Sequence, residues 1–183
     1  SPFPEEMNRQ ITGRITDIHL APTEKSKSNL LLENISEDQI IVTGNTVIDA
    51  LIGSVSKVER IEDPEIEKLQ TIVNPEQRLI LVTGHRRENH GQGFINICEA
   101  LKQIACDNPN VQIIYPVHLN PNVQKPVYEL LKNIPNIQLI APLTYPAFVW
   151  LMNQSYLIIT DSGGVQEEAP SLGKPVLVMR DTT

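Results

Sequence analysis

The chain has only two cysteines, carries no surplus of positive charge, and contains no apolar run long enough to cross a bilayer. Its 15 Lys and Arg face 22 Asp and Glu, a formal charge of −7 with no offsetting basic block, so no nucleic-acid partner is expected. Cys98 and Cys106 both fall in one segment of helical periodicity, where two cysteines two turns apart cannot readily bridge; core thiols in a reducing, cytoplasmic compartment are expected. No stretch approaches the roughly 20 apolar residues of a membrane span, and no signal-peptide pattern opens the chain, so no membrane association is expected. Without secretion, the glycosylation patterns Asn34-Ile35-Ser36 and Asn153-Gln154-Ser155 carry no meaning.

Motifs of several chemistries are missing as well. The four histidines and two cysteines show no ligand spacing, so no metal is expected. Neither a G-x-S-x-G elbow, a Walker loop nor a G-x-G-x-x-G fingerprint occurs. Gly173-Lys174 runs into Pro175 rather than Ser or Thr, and reads as a helix C-cap before a final strand. An initiator methionine is also lacking, and the chain stops at Met179-Arg180-Asp181-Thr182-Thr183, just past an expected strand. Both ends read as cut from a longer sequence.

What is present is a regular alternation. Helices are expected over Glu5–Ile15, Thr23–Glu33 and Thr46 to about Val55, capped by Thr23 and Asn45, with short strands at Asp17–Ala21 and Gln39–Thr43. A charged, low-apolar stretch from Lys57 to Gln77 reads as a surface helix with loops. It is the expected linker between a lobe ending near residue 56 and a second lobe over 78–183. In that second lobe, strands are expected at Leu79–Thr83, Val111–Val117, Ile137–Ile140, Tyr156–Thr160 and Val176–Met179. Helices are expected at Phe94–Cys106, Val123–Lys132, Pro146–Asn153 and Val165–Leu172. Near-continuous Val/Ile/Leu strands separated by helices predict an α/β fold with a parallel sheet covered on both faces.

Ligands of such sheets bind beyond the carboxyl ends of the strands, so the exits carry the functional information. The first strand of this lobe leaves into Gly84-His85-Arg86-Arg87-Glu88-Asn89, the second into Pro116-Val117-His118-Leu119-Asn120-Pro121, and the third into Ala141-Pro142-Leu143. The fourth leaves into Asp161-Ser162-Gly163-Gly164-Val165-Gln166-Glu167-Glu168, a strand-to-helix turn whose free amides and helix dipole suit an anion. Its two glycines allow close approach of a phosphate, Ser162 offers a hydroxyl cap, and Glu168 is placed to hold a sugar diol. The same Asp-Ser-Gly-Gly is also ordinary turn chemistry, so by itself this segment admits both readings. Cations at one exit, amides at another and an apolar wall at a third could hold a diphosphate and a ring. His118, flanked by prolines, admits a structural as well as a functional reading, and Phe148 on its apolar helix reads first as core.

Five motifs stand in order: Ser-Pro-Phe-Pro-Glu-Glu-Met-Asn-Arg-Gln at 1–10, Thr-Gly-Asn-Thr-Val-Ile-Asp-Ala at 43–50, Gly-His-Arg-Arg-Glu-Asn at 84–89, Tyr-Pro-Val-His-Leu-Asn-Pro-Asn-Val at 115–123, and Thr-Asp-Ser-Gly-Gly-Val-Gln-Glu-Glu-Ala-Pro-Ser-Leu-Gly-Lys-Pro-Val-Leu at 160–177. Together the chain closely resembles the non-hydrolysing bacterial UDP-N-acetylglucosamine 2-epimerases. That resemblance implies two Rossmann-like lobes of GT-B type, of which this chain would hold the end of the first and most of the second. It implies interconversion of UDP-N-acetylglucosamine (UDP-GlcNAc) and UDP-N-acetylmannosamine (UDP-ManNAc), through elimination of UDP to 2-acetamidoglucal and re-addition, without a cofactor and in a homodimer. Glu5 matches a catalytic carboxylate, and His85 a catalytic histidine that also meets the diphosphate. Ser162, Gly163 and Gly164 match the phosphate turn, Glu168 the ribose carboxylate, and Leu143 and Phe148 the uracil pocket. Arg86 and His118 match residues that contact a second, activating UDP-GlcNAc in some members. Two alternatives stay open: a hydrolysing relative that releases free N-acetylmannosamine, and a UDP-binding fragment inactive by itself.

Overall fold

The computed structural model describes residues 3–180, so Ser1-Pro2 and Asp181-Thr182-Thr183, the outer ends of the first motif and of the chain, lie outside the described residues. The chain divides into two compact units, 1–50 and 51–183.

In the first unit, helix α1 (Glu5–Ile15), strand β1 (His19–Ala21), helix α2 (Glu24–Leu32), a 3₁₀ turn (Glu37–Gln39) and strand β2 (Ile40–Val42) follow one another, with β1 and β2 paired in parallel. Thr23 caps α2 as its sequence predicts, its hydroxyl accepting the Ser26 N–H at 3.1 Å. Arg9 joins the two helices, reaching Glu6 at 2.5 Å and Glu33 at 2.7 Å. Hydrogen bonds from Arg9 and then Gln10 hold the Glu6 carboxyl down at about 2. Among the described residues of this unit, apolar burial is confined to Ala21 and Ile40.

Helix α3 (Thr46–Val58) carries the division between units, and its later residues Leu51, Val55 and Val58 pack in the second. There follow α4 (Pro64–Ile72), β3 (Arg78–Thr83), a 3₁₀ turn (Arg87–Asn89), α5 (Gln92–Asp107), β4 (Val111–Pro116), α6 (Pro121–Leu131), β5 (Ile137–Ile140), α7 (Tyr145–Gln154), β6 (Leu157–Thr160), α8 (Gly163–Ser171) and β7 (Val176–Val178). The strands form one all-parallel sheet in the order β5-β4-β3-β6-β7. Because β3 pairs on one side with its successor and on the other with β6, the order reverses between β3 and β6, which makes their exits the topological switch point.

Side chains of the strands alternate between two cores. Ile80 and Val82 of β3 face α5 and α6, together with Ile113 and Tyr115 of β4. Leu79 and Leu81 face the opposite layer, built from α3, α4, α7 and α8. Burial on both faces is why these strands read as unbroken apolar runs rather than alternating ones. At the C-terminus of α8, Gly173 adopts φ 68°. Its N–H bonds the Pro170 carbonyl and that of Lys174 bonds Ala169, the paired C-cap bonds that a left-handed residue permits.

Two expectations need correction. The segment 57–77 is no purely surface element: α4, capped by Asp63, buries Ile66 and Leu69 against the sheet. Its end is tied down by Gln112 of β4, only 4 % exposed, whose side chain accepts the Asn74 N–H at 2.9 Å and donates to the Ile72 carbonyl at 2.8 Å. Cys98 is buried as expected, but Cys106 is exposed. The buried stripe of α5 runs through Phe94, Cys98, Leu101 and Ala105, and the next residue is turned about 100° away from it.

Candidate functional site

At the switch point the last rung of the β3–β6 pair is Thr83 against Thr160, and their hydroxyls meet at 2.7 Å. Thr160 Oγ1 also accepts the Ser162 N–H at 2.9 Å, which fixes how the chain leaves β6. From β3 the chain leaves through Gly84, whose carbonyl accepts the Tyr115 hydroxyl at 3.0 Å. Burial pushes the Tyr115 phenol up, which keeps that hydroxyl a donor. A methyl group on Gly84 would stand 3.1 Å from Met179 Cε and 3.3 Å from the Tyr115 oxygen, so the crossing is shaped for glycine.

Asp161, between the two threonine-anchored exits, has a fully buried side chain that no sequence argument had singled out. Its carboxylate accepts the His85 N–H at 3.0 and 3.2 Å, the Arg86 N–H at 2.8 Å and Asn89 Nδ2–H at 3.3 Å. The His85 ring stays near it, with Nδ1 at 3.8 Å. These bonds draw the exit of β3 onto that of β6. Arg86 Nη2 then lies 3.8 Å from where a Gly163 side chain would begin, so a guanidinium stands at the first residue of α8.

Ser162 occupies the N-cap of α8, but its hydroxyl makes no capping bond. The expected hydroxyl cap is thus not made: the N-cap position permits one without imposing the rotamer that makes it. The opening amides of α8, at Gly163 and Gly164, therefore have neither a helical partner nor a serine cap, and they share the positive end of the dipole with Arg86. His85 and His118 stack with ring centroids 5.1 Å apart and planes at 14°. His118 Nδ1 accepts the Asn120 N–H at 3.1 Å, which leaves Nε2 as the nitrogen that bears the proton in the neutral ring.

His85, Arg86, His118, Asp161 and the Ser162–Gly164 turn are thus joined by successive contacts at adjacent strand ends. Glu168 lies in the second turn of α8, half-buried, its carboxyl raised by burial and then by Glu167. Leu143 belongs to the exit of β5, two strands away from β3 in the sheet order, and Phe148 to α7, which packs on β3; both side chains join the core layer of α4 and α7. Leu143 shares a small cleft with Glu65 and Ile140, and Glu65 accepts the Thr144 N–H and hydroxyl at 2.9 and 2.5 Å. Glu5 is exposed in the first turn of α1, within the first unit. Among the described residues, no group of three or more His, Cys, Asp and Glu could hold a metal, and no helix is long and apolar enough to cross a membrane.

Comparison with known proteins bears on this geometry. A family model described as UDP-N-acetylglucosamine 2-epimerase matches residues 1–183. The UDP-N-acetylglucosamine 2-epimerase of Campylobacter jejuni is 58 % identical over 188 aligned residues, which take in the whole of this chain and 49 % of the relative. Among solved structures, UDP-GlcNAc 2-epimerase from Neisseria meningitidis bound to UDP-GlcNAc superimposes with a TM-score of 0.91 at 50 % identity, covering 100 % of this chain and 49 % of that one. The S. aureus MnaA–UDP co-structure gives 0.87 at 41 % identity, covering 100 % and 48 %. The fold is accordingly the α/β fold of GT-B-type epimerases, and the chain spans about half the length of the relatives it matches.

Proposed function

Because the chain belongs to the UDP-N-acetylglucosamine 2-epimerase family, we propose that it carries the nucleotide-sugar half-site of an isomerase interconverting UDP-GlcNAc and UDP-ManNAc. The observation that carries this reading is the meeting of the Arg86 guanidinium with Gly163 at the open start of α8, beside the His85 ring. A diphosphate there would gain a guanidinium, an imidazole and main-chain amides whose dipoles are already oriented. Glu168 would accept hydrogen bonds from the ribose hydroxyls, Ser162, Gly163 and Gly164 would hold phosphate oxygens, and Leu143 and Phe148 would line the place of the uracil. Residues 1–56 are read as the end of a preceding lobe.

In the proposed reaction, a base removes the proton on C2 while the C1–O bond breaks, so that UDP leaves with the bonding electron pair and 2-acetamidoglucal remains. Return of a proton to the opposite face of C2 and re-addition of UDP at C1 give the epimer, with no net oxidation. The C2 proton is weakly acidic, so stabilising the departing diphosphate would supply much of the barrier reduction, the task assigned here to Arg86, His85 and the α8 amides. Glu5 is assigned a share in the proton transfers, which typically accelerate such steps about 10²–10⁴-fold. Arg86 and His118 are also the residues proposed to meet a second UDP-GlcNAc. A cytoplasmic homodimer is part of the same reading, and sedimentation of the purified chain tests the dimer.

Titration calorimetry with UDP, run beside a turnover assay on UDP-GlcNAc with product analysis, tests the proposal. UDP binding with formation of UDP-ManNAc supports it in full. Accumulation of free N-acetylmannosamine identifies the hydrolysing reaction instead, and binding without turnover identifies a UDP-binding piece. Absence of UDP binding overturns the reading of the site.

A further inference from the structure

Among the described residues, Asp161 is the one charged side chain in the buried class. Burying a carboxylate is costly unless it is well hydrogen-bonded, so its position needs a reason. A residue serving only its own turn would take donors from the start of α8. The donors of Asp161 come instead from a segment 72 to 76 residues earlier: the amides of His85 and Arg86 and the side chain of Asn89. Asn89 is itself braced, donating to the Met179 carbonyl at 3.1 Å. Both carboxylate oxygens are engaged, and the side chain has no exposed surface to offer a ligand.

We propose that Asp161 is a positioning residue, whose buried carboxylate gathers the His85 and Arg86 amides and so sets their imidazole and guanidinium against the open start of α8. It acts through those two residues and touches no ligand. With the two amides taken by Asp161, an anion at this place is held by the β3-exit side chains and by the α8 amides. The inference rests on the reading of this place as a diphosphate site, while the clamp itself can be measured with no ligand present.

Amide hydrogen exchange of the unliganded chain is the first measurement. The side chains of His85 and Arg86 are exposed, so their amides should exchange at loop rates unless the carboxylate holds them; protection of about 100-fold or more is expected. Loop-like exchange in the unsubstituted protein overturns the clamp. In Asp161→Asn, exchange at 85 and 86 should accelerate at least about tenfold while the amides of β4 stay protected, and UDP binding should weaken at least about tenfold. Accelerated exchange with unchanged UDP affinity would make the clamp purely structural and overturn its positioning role. If β4 loses protection as well, the variant has unfolded and the unsubstituted protein's exchange decides. If the unsubstituted chain binds no UDP, the functional reading fails and exchange alone decides the clamp.

Discussion

Thr83 and Thr160 hold each other hydroxyl to hydroxyl at 2.7 Å across the one pair of neighbouring strands where the sheet reverses its order. Thr160 is fully buried, and its oxygen also receives the Ser162 N–H. Thr160→Val preserves the shape and removes both bonds, leaving a partly buried amide without its partner. A loss of about 1–3 kcal/mol is expected in urea denaturation. An unchanged midpoint would remove the hydroxyl from the account of the site.

Gln112 makes a second test of anchoring. Gln112→Leu should destabilise by about 1–3 kcal/mol, because the Asn74 N–H and the Ile72 carbonyl at the end of α4 lose their buried partner. Limited proteolysis should then cut between α4 and β3 sooner than in the unsubstituted chain. Equal cutting rates would show that α4 is held by its apolar face alone.

Glu168 has a carboxyl raised above its ordinary value, first by burial and then by Glu167. A raised folded value stabilises the fold below the unfolded carboxylate pKa, and that contribution is lost as pH rises through the folded value. At neutral pH the charged side chain is therefore a net cost. Glu168→Gln should raise the thermal midpoint at pH 7, with the gain disappearing in acid below the carboxylate range. The same variant should bind UDP more weakly, so the two effects run in opposite directions. A midpoint unchanged at pH 7 would show that burial does not penalise this carboxylate.

The cysteines should separate cleanly in thiol labelling. Cys98 is fully buried and its thiol is pushed up to about 11, mainly by burial, whereas Cys106 is exposed. One equivalent of a maleimide is expected to react at once, at Cys106, and the second only on unfolding. Rapid reaction of both thiols in the native protein would contradict the packing of α5.

The strands of the second unit were legible because parallel strands buried on both faces are written as apolar runs, and those at Ile137–Ile140 and Leu157–Thr160 lie within one residue of their expected bounds. Caps were legible for the same local reason, as at Thr23 and Asn45. The role of Asp161 was not, because a residue in an Asp-Ser-Gly-Gly turn looks alike whether it serves its own turn or a loop 76 positions earlier. Nor was the exposure of Cys106: eight residues place it only about 80° round from Cys98, close enough for a broad buried stripe, and only the packing of α5 shows that the stripe ends at Ala105. The stacking of His118 on His85 likewise depends on β4 lying beside β3, which is a fact of strand order and not of local pattern.

The pairing of β3 with β6 has a kinetic consequence. Their contact closes a span of 77 residues, within which β4, β5 and three helices must find their own places. Long-range closures of this kind slow folding, so the proposed half-site can come into being only when β6 docks. A nascent or partly collapsed chain can thus own every residue named above and still lack the place proposed for the nucleotide.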